Sequence, residues 1–287
     1  MRSFHLLVNP ASGGGAAPAA VVPVARLLRE AGAEVAVTYS PGPLGCEGIV
    51  ADAAAAGHVV VAVGGDGMVG SLAGPVVAAD GLLGIVAAGR GNDFARQLGL
   101  PRDQEAVAAM LLRGEPRRVD VIDVGGRSVV GSVYAGVDSR ASELVDAAQR
   151  LPRRLQYPYA AVRALATFAP VDFRVTADGD NHRLRGFTVV VANSGYYGSG
   201  MNIAPDAVLD DGLLDVVMIG TASRARLLRS MPHLYAGTHT ALDGVRVLRG
   251  REISIDVEGA TVYGDGDRIA PPPLTARVRP RALQVIT

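Results

Sequence analysis

The sequence contains no lysine; all 28 of its basic side chains are arginines. That absence removes whole chemistries. No Schiff base to a carbonyl substrate or pyridoxal phosphate can form without a lysine amine. A Walker-type phosphate loop is excluded, because its lysine is obligatory. Any phosphate bound here must rest on backbone N–H groups, a metal ion, hydroxyls or arginine. Cysteine is nearly absent as well. The single Cys46 permits neither an intrachain disulfide nor a cysteine-built zinc site, which fits a reducing cytoplasm. Neither sign of charge is in excess, since 28 acidic residues balance the arginines. A basic face for general nucleic-acid binding is therefore not expected. No apolar run approaches the ~18 residues that span a bilayer. The opening run, Phe4–Val8, meets Asn9-Pro10 too soon for a secretory leader. His5, His58, His182, His233 and His239 lack metal-ligand spacing and read as structural or exposed.

What is present is core material and glycine. Hydrophobic residues make up 49% of the 287 positions, enough for one large domain or two moderate ones, and 36 glycines cluster into loops. The first part alternates strand and helix. Phe4–Val8 ends in Asn9-Pro10-Ala11-Ser12-Gly13-Gly14-Gly15. A helix is expected from Pro18 to Ala31, with Val21, Val24 and Leu28 on one face and Gly32 as its stop. Val35–Thr38 reads as a strand, and an Ala-rich helix runs on to Gly57. His58–Val63 is almost wholly apolar, as at the centre of a parallel sheet, and ends in Gly64-Gly65-Asp66-Gly67. Leu82–Val86 leads into Gly89-Arg90-Gly91-Asn92-Asp93, and Asp103–Arg113 is a further helix. This order implies an α/β domain over residues 1–121.

Residues 122–287 read differently. Strand-like segments (Ser128–Ala135, Val171–Ala177, Phe187–Ala192, Leu213–Ile219, Ile253–Val257, Ala276–Ile286) are separated by turn residues such as Asp178-Gly179-Asp180-Asn181. Two helical inserts interrupt, Ala141–Thr167 and Ser223–Met231. A mainly antiparallel β-sandwich is expected. The join near Asp120–Gly126 is short, so a cleft between the domains is expected.

Three Gly-rich loops follow successive strands of the α/β domain. Such loops gather at the carboxyl edge of a parallel sheet, where ligands bind. Glycine lets backbone N–H groups approach a phosphate, and each following helix adds its positive dipole end. Asp66 and Asn92-Asp93 each admit two readings, a helix cap or an acid beside a magnesium-bound nucleotide. Asp265-Gly266-Asp267 on its own reads first as a tight turn.

The ordered set of these strings resembles the diacylglycerol-kinase catalytic-domain family, soluble lipid kinases related to sphingosine kinases and more distantly to NAD kinases. The resemblance rests on Asn9-Pro10-x-Ser12-Gly13, the Gly64–Gly67 motif, Gly89-x-Gly91-Asn92-Asp93-Phe94-Ala95-Arg96 and Leu98-Gly99-Leu100-Pro101. It continues through Asp120, Asn193-Ser194-x-Tyr196-Tyr197-Gly198-x-Gly200-Met201, Ala204-Pro205-Asp206, Asp210-Asp211-Gly212-Leu213-Leu214-Asp215 and Gly264-Asp265-Gly266-Asp267. It implies an ATP-dependent lipid kinase using Mg2+, with a lipid acceptor at the membrane surface and diacylglycerol as the default. Asn9, Ser12 and Gly13 would hold ATP, with Thr38 on the next loop. Gly64, Gly65, Asp66, Gly67 and Met68 would cover the phosphates, Asp66 lying near the transferred group. Asn92 and Asp93 would support that site, with Asp120 in a shared acidic network. A structural magnesium would be held by Asp211 and the carbonyls of Val208 and Leu213. Asp267 would take the acceptor's proton, with Asp265 two residues earlier.

Four positions depart from the family pattern: Gly14 where lysine is common, Met68 and Arg90 where threonine is usual, and Asp267 in place of glutamate. Arg90, between two glycines, is the expected phosphate cation. An NAD kinase and a non-catalytic binding protein of the same fold remain alternatives. Arg150–Tyr159 is basic and aromatic and reads either as a solvated helix entry or as a surface for anionic headgroups. The oligomeric state is open, a homodimer included.

Overall fold

A computed structural model describes residues 2–42, 45–148, 151 and 153–287. The chain forms two compact units. One takes the chain up to Val121, together with Gly198–Gly200 and Arg279–Thr287; the other comprises Ile122–Tyr197 and Met201–Val278. The last nine residues thus return to the first unit instead of ending in the second.

In the first unit, β1 (Ser3–Val8), β2 (Val35–Tyr39), β3 (His58–Gly64) and β4 (Leu82–Ala87) form a parallel sheet in the order β2-β1-β3-β4. The C-terminal strand continues it, with Gln284 and Val285 opposite Leu82 and Leu83. Helices α1 (Ala16–Glu30), α2 (Glu47–Ala55), α3 (Asp66–Ala78), α4 (Asp93–Gln97) and α5 (Gln104–Arg113) complete the unit. Residues 59–64 of β3 are all buried, which is why that segment lacks polar alternation. Val21, Val24 and Leu28 of α1 pack on Phe4, Leu6 and Val61 of the sheet. Each such fully buried side chain contributes about 1.5–3 kcal/mol. Asp103 caps α5, accepting the N–H groups of Glu105 and Ala106 at 3.0 Å each. Because α1, α3 and α4 follow β1, β3 and β4, the three Gly-rich loops lie at the carboxyl ends of adjacent strands.

The chain leaves this unit along β5 (Pro116–Val124). The second unit contains β6 (Arg127–Val129), β7 (Ser132–Gly136), α6 (Val137–Ala147), α7 (Arg153–Thr167), β8 (Val171–Ala177), β9 (Asp180–Ala192), the short ribbon of β10 (Tyr196–Tyr197) and β11 (Met201–Asn202), β12 (Leu214–Gly220), α8 (Arg224–Ala236), β13 (Val245–Gly250), β14 (Glu252–Val257), β15 (Val262–Gly264) and β16 (Asp267–Arg268). It also holds the start of β17 (Leu274–Ile286). Its strands pair antiparallel among the described residues. The long β9 pairs with β8 along its first half, and with β7 and β12 along its second. It changes partners at Gly186, where a Cβ would sit 2.3 Å from the Ile219 carbonyl oxygen; the β12 register shifts there. Val189 and Val191 of β9 face the main core with Phe173, Val216 and Ile255, while Val190 and Ala192 face a second cluster with Tyr134 and Ile203. Both faces are therefore buried.

Three two-residue turns have both φ angles positive: Gly125-Gly126, Asp178-Gly179 and Asp265-Gly266. Each closes a hairpin of the type that Asp-Gly and Gly-Gly favour. The helical insert expected at residues 141–167 is two helices, α6 and α7, and the strand expected at Ser128–Ala135 is broken into β6 and β7. Of the basic–aromatic stretch, Arg150 and Pro152 lie outside the described residues. No described helix is long and apolar enough to cross a membrane.

Candidate active site

In the first unit the three loops are fastened to one another. The Gly65 N–H donates to Ser12 Oγ at 3.3 Å, joining the first loop to the second. A Cβ on Gly89 would lie 2.4 Å from Gly65 Cα, so the second and third loops touch backbone to backbone. Only glycine at both positions permits that approach. Gly13 is left-handed at φ +61°, and a Cβ there would meet the Ala88 carbonyl oxygen at 2.4 Å. Asn9 Oδ1 accepts the Ala11 N–H at 3.0 Å and so shapes the first loop.

Asn92 does not cap α4 with its side chain. It is left-handed at φ 52°, and its amide clamps Gly89 instead: Oδ1 accepts the Gly89 N–H at 2.8 Å and Nδ2 donates to the Gly89 carbonyl at 2.9 Å. Asp66 is the first residue of α3, after the cap position held by Gly65. Its Oδ1 accepts the Phe94 N–H at 3.1 Å, from the start of α4.

Asp66 and Asp93 are thus brought together on two helix starts. Asp93 Oδ2 accepts the Ser199 N–H at 2.8 Å. Its Oδ1 is buried without a hydrogen-bond partner, with Arg96 Nε 3.9 Å away. Burial, and then the charge of Asp66, push the Asp93 carboxyl above its ordinary range; the Ser199 and Gly200 amides and Arg96 oppose them. A buried carboxylate with an open oxygen beside a second carboxylate suits a divalent cation that arrives with a polyphosphate. Ser199 belongs to a segment remote in sequence, and only its glycine neighbours signalled it.

A carboxyl that holds its proton more tightly when folded loses stability as pH rises through the window above 3.8, its ordinary value. Asp93→Asn cannot ionise. Its melting temperature relative to the native chain is expected to climb as pH rises above 3.8. A flat or falling difference would contradict the assignment.

The other expected nucleotide contacts differ in detail. Thr38 stands within β2 and not on a loop, its hydroxyl 2.9 Å from His5 Nε2. The Met68 side chain is buried and its N–H donates to the Gly65 carbonyl at 2.9 Å, so it supports the loop from beneath. Arg90 is exposed beside Gly89 and Gly91. Asp120 is fully buried on β5, where Oδ1 accepts the Arg281 N–H at 2.7 Å.

In the second unit, Asp265 and Asp267 have separate tasks. Asp265 is left-handed at φ 50° within its turn. Its carboxylate accepts the N–H groups of Val130, Gly131 and Ser132 at 2.8, 2.9 and 3.2 Å. That grip holds the break between β6 and β7. Asp267 is exposed at the start of β16, with Oδ2 2.7 Å from Arg127 Nη2. An ion pair this open contributes about 0–1 kcal/mol and yields its carboxylate readily.

At the position expected for magnesium, Asp211, Val208 and Leu213, the carboxylate of Asp211 has two partners within the second unit. Asp211 Oδ1 accepts the Leu213 N–H at 3.0 Å, and its Oδ2 lies 2.5 Å from Arg249 Nη2. Among the described residues no group of three or more His, Cys, Asp or Glu side chains could hold a metal. Both Asp211 oxygens thus have partners at the place where the resemblance implied a magnesium.

One functional feature went unread in the sequence. A cavity of about 130 Å³ lies within the second unit, walled mostly by apolar groups including Leu165, Phe187, Ile219, Leu227, Met231 and Leu234. Asp138, Thr188 and Tyr197 form a polar cluster on its wall. The Thr188 hydroxyl lies 2.6 Å from Asp138 Oδ2, and Tyr197 is hydrogen-bonded to the same carboxyl. Asp138 is half-buried on the cavity wall, and burial pushes its pKa up. No motif marks Asp138 or Thr188, and the three meet only through the folding of α6, β9 and β10.

Glycine loops around a carboxylate pair, followed by an antiparallel β unit with an apolar cavity, define a two-unit protein of the NAD-kinase and diacylglycerol-kinase fold class. Residues 3–124 match the model of the diacylglycerol kinase catalytic domain, and residues 131–287 that of the YegS C-terminal NAD kinase beta sandwich-like domain. A diacylglycerol kinase of Mycobacterium tuberculosis is 33% identical over 98% of this chain and 93% of its own length. A diacylglycerol kinase of Bacillus subtilis is 26% identical over 90% and 86%. A crystal structure of a diacylglycerol kinase from Bacillus anthracis superposes with a TM-score of 0.76 at 18% identity, covering 99% of this chain and 96% of that one, a likeness of fold. The chain belongs to the diacylglycerol-kinase catalytic-domain family of lipid kinases.

Proposed function

We propose that this protein transfers the γ-phosphoryl group of ATP to the hydroxyl of a lipid, with diacylglycerol as the default acceptor. The observation that carries this reading is the apolar cavity with its Asp138–Thr188–Tyr197 cluster, which suits a molecule with hydrocarbon chains and a polar end. Its likeness to a relative named diacylglycerol kinase, at 33% identity, supports the choice of acceptor.

In this reading the first unit takes the nucleotide. Backbone N–H groups of Gly13, Asp66 and Gly67 would face its phosphates, Ser12 and Asn9 hold the first loop in place, and Asn92 fixes Gly89 beneath them. Asp66 and Asp93 would hold the magnesium that accompanies ATP, which supplies neutralisation of phosphate charge. Asp267 accepts the proton of the attacking hydroxyl as its oxygen bonds to the γ-phosphorus and the bond to the β–γ bridging oxygen breaks. Asp265 positions that turn through three amides. Arg90 adds a cation to the phosphate side. Arg90→Ala is expected to raise KM for ATP about tenfold, the loss of ~1.4 kcal/mol, with kcat little changed; an unchanged KM would remove Arg90 from the site.

The acceptor reading is tested with Leu227→Arg, which places a charge on the cavity wall. The expected result is a loss of about tenfold or more in kcat/KM for long-chain diacylglycerol with KM for ATP intact. Equal activity of both proteins toward long-chain acceptors would detach the cavity from the substrate.

A further inference from the structure

Residues 206–215 carry four aspartates, Asp206, Asp210, Asp211 and Asp215, and the structure places Arg249 of another strand against two of them, Asp211 and Asp215. Asp215 on β12 and Arg249 on β13 are directly opposed in the antiparallel register. The Asp215 side chain is only 4% exposed, with Oδ1 3.1 Å from Arg249 Nε. Arg249 Nη2 reaches Asp211 Oδ2 at 2.5 Å. One guanidinium therefore bridges two carboxylates, one of them buried, through its Nε and Nη2 groups. The planar fork of arginine suits this arrangement, and a lysine ammonium would not span it.

The charges explain why a cation is needed. Burial pushes Asp215 toward its neutral form; Arg249 counters this, while Asp211 and Asp206 add to it. Asp215 and Asp211 in turn hold the Arg249 proton more firmly. A divalent ion at this place would need the carboxylate oxygen of Asp211 that the guanidinium already occupies, and like charges would face each other across a bond length.

We propose that Arg249 is the resident cation of residues 206–215, its guanidinium doing by ion pairing what a divalent metal would otherwise do, so that this segment holds its fold without a metal. Removal of Arg249 takes the cation from the Asp211 and Asp215 carboxylates, and that pair then recruits a divalent cation. This lies apart from the magnesium that accompanies the nucleotide on the first unit.

The test is thermal melting of the nucleotide-free protein in EDTA and in millimolar magnesium. The native chain is expected to melt within about 1 °C in the two conditions. Arg249→Ala should melt about 3 °C or more below it in EDTA and recover at least half of that loss with magnesium. The double variant Arg249→Ala, Asp211→Asn should not recover, which separates this cluster from any binding at Asp66 and Asp93. Should Arg249→Ala fail to fold, Arg249→Lys, which keeps the charge but not the bridge, replaces it in the same comparison. A native chain that loses stability in EDTA and regains it with magnesium overturns the proposal. So does an Arg249 variant that melts with the native chain in EDTA.

Discussion

Asp267→Asn is expected to lower the rate of phosphoryl transfer by about 10²–10⁴-fold, the usual contribution of a positioned general base. Nucleotide binding should be retained, because the three Gly-rich loops belong to the other unit. The asparagine amide keeps the size of the carboxylate but cannot take the acceptor's proton. Its weak, exposed pairing with Arg127 means that fold stability should hardly move. Asp265→Asn is the informative contrast. That carboxylate is spent on three backbone N–H groups, so the expected effect is on folding, about 1–3 kcal/mol from amides left without an acceptor. Normal turnover in Asp267→Asn would move the proton acceptor elsewhere. A kinetic defect in Asp265→Asn with unchanged melting would reverse the two assignments.

Gly89→Ala is the second substitution with a large expected effect. Its Cβ would lie 2.4 Å from Gly65 Cα and 2.8 Å from Asn92 Oδ1, both in atoms with nowhere to go. The second and third loops must separate, and the Asn92 clamp must break. Overpacking of this kind costs about 1–3 kcal/mol. The larger consequence is for nucleotide binding, which depends on the spacing of those amides and should fall on the order of 100-fold, ~2.7 kcal/mol. Gly14→Ala is the matched control. A Cβ there meets nothing within 4 Å, although φ is +72°. Its cost is backbone strain of about 1–2 kcal/mol without any steric collision. Comparable nucleotide affinity in the two variants would mean that contact between the loops does not shape the site.

Much of the scaffold was readable because its causes are local. Residues 59–63 are apolar without alternation, which is the mark of a strand covered on both faces, and β3 is such a strand. Asp178-Gly179 announced its hairpin, and Asp265-Gly266 is the tight turn that its residues suggest. The glycine loops were readable as phosphate-approaching backbone, but their mutual contact was not, since Gly65 and Gly89 are far apart in sequence. β13 escaped notice because Val245-Arg246-Val247-Leu248-Arg249 is largely exposed and carries two arginines, so no apolar run marks it. Arg249, on that strand, therefore had no sequence signal linking it to Asp211 and Asp215. Asn92 looked like a helix cap, yet its left-handed backbone turns the side chain back onto Gly89. Of the cavity residues, Tyr197 lies in the Asn193–Met201 string, but Asp138 and Thr188 carry no pattern that links them to it, and only tertiary structure assembles the three.

The most direct measurement supplies the purified protein with γ-labelled ATP and, separately, diacylglycerol, a monoacylglycerol, a sphingoid base and NAD, and identifies any labelled product by mass. The structure-based account predicts a phosphorylated lipid, with diacylglycerol the best acceptor, and its loss in Asp267→Asn. Label transferred to NAD alone, or tight nucleotide binding with no labelled product from any acceptor, would contradict it.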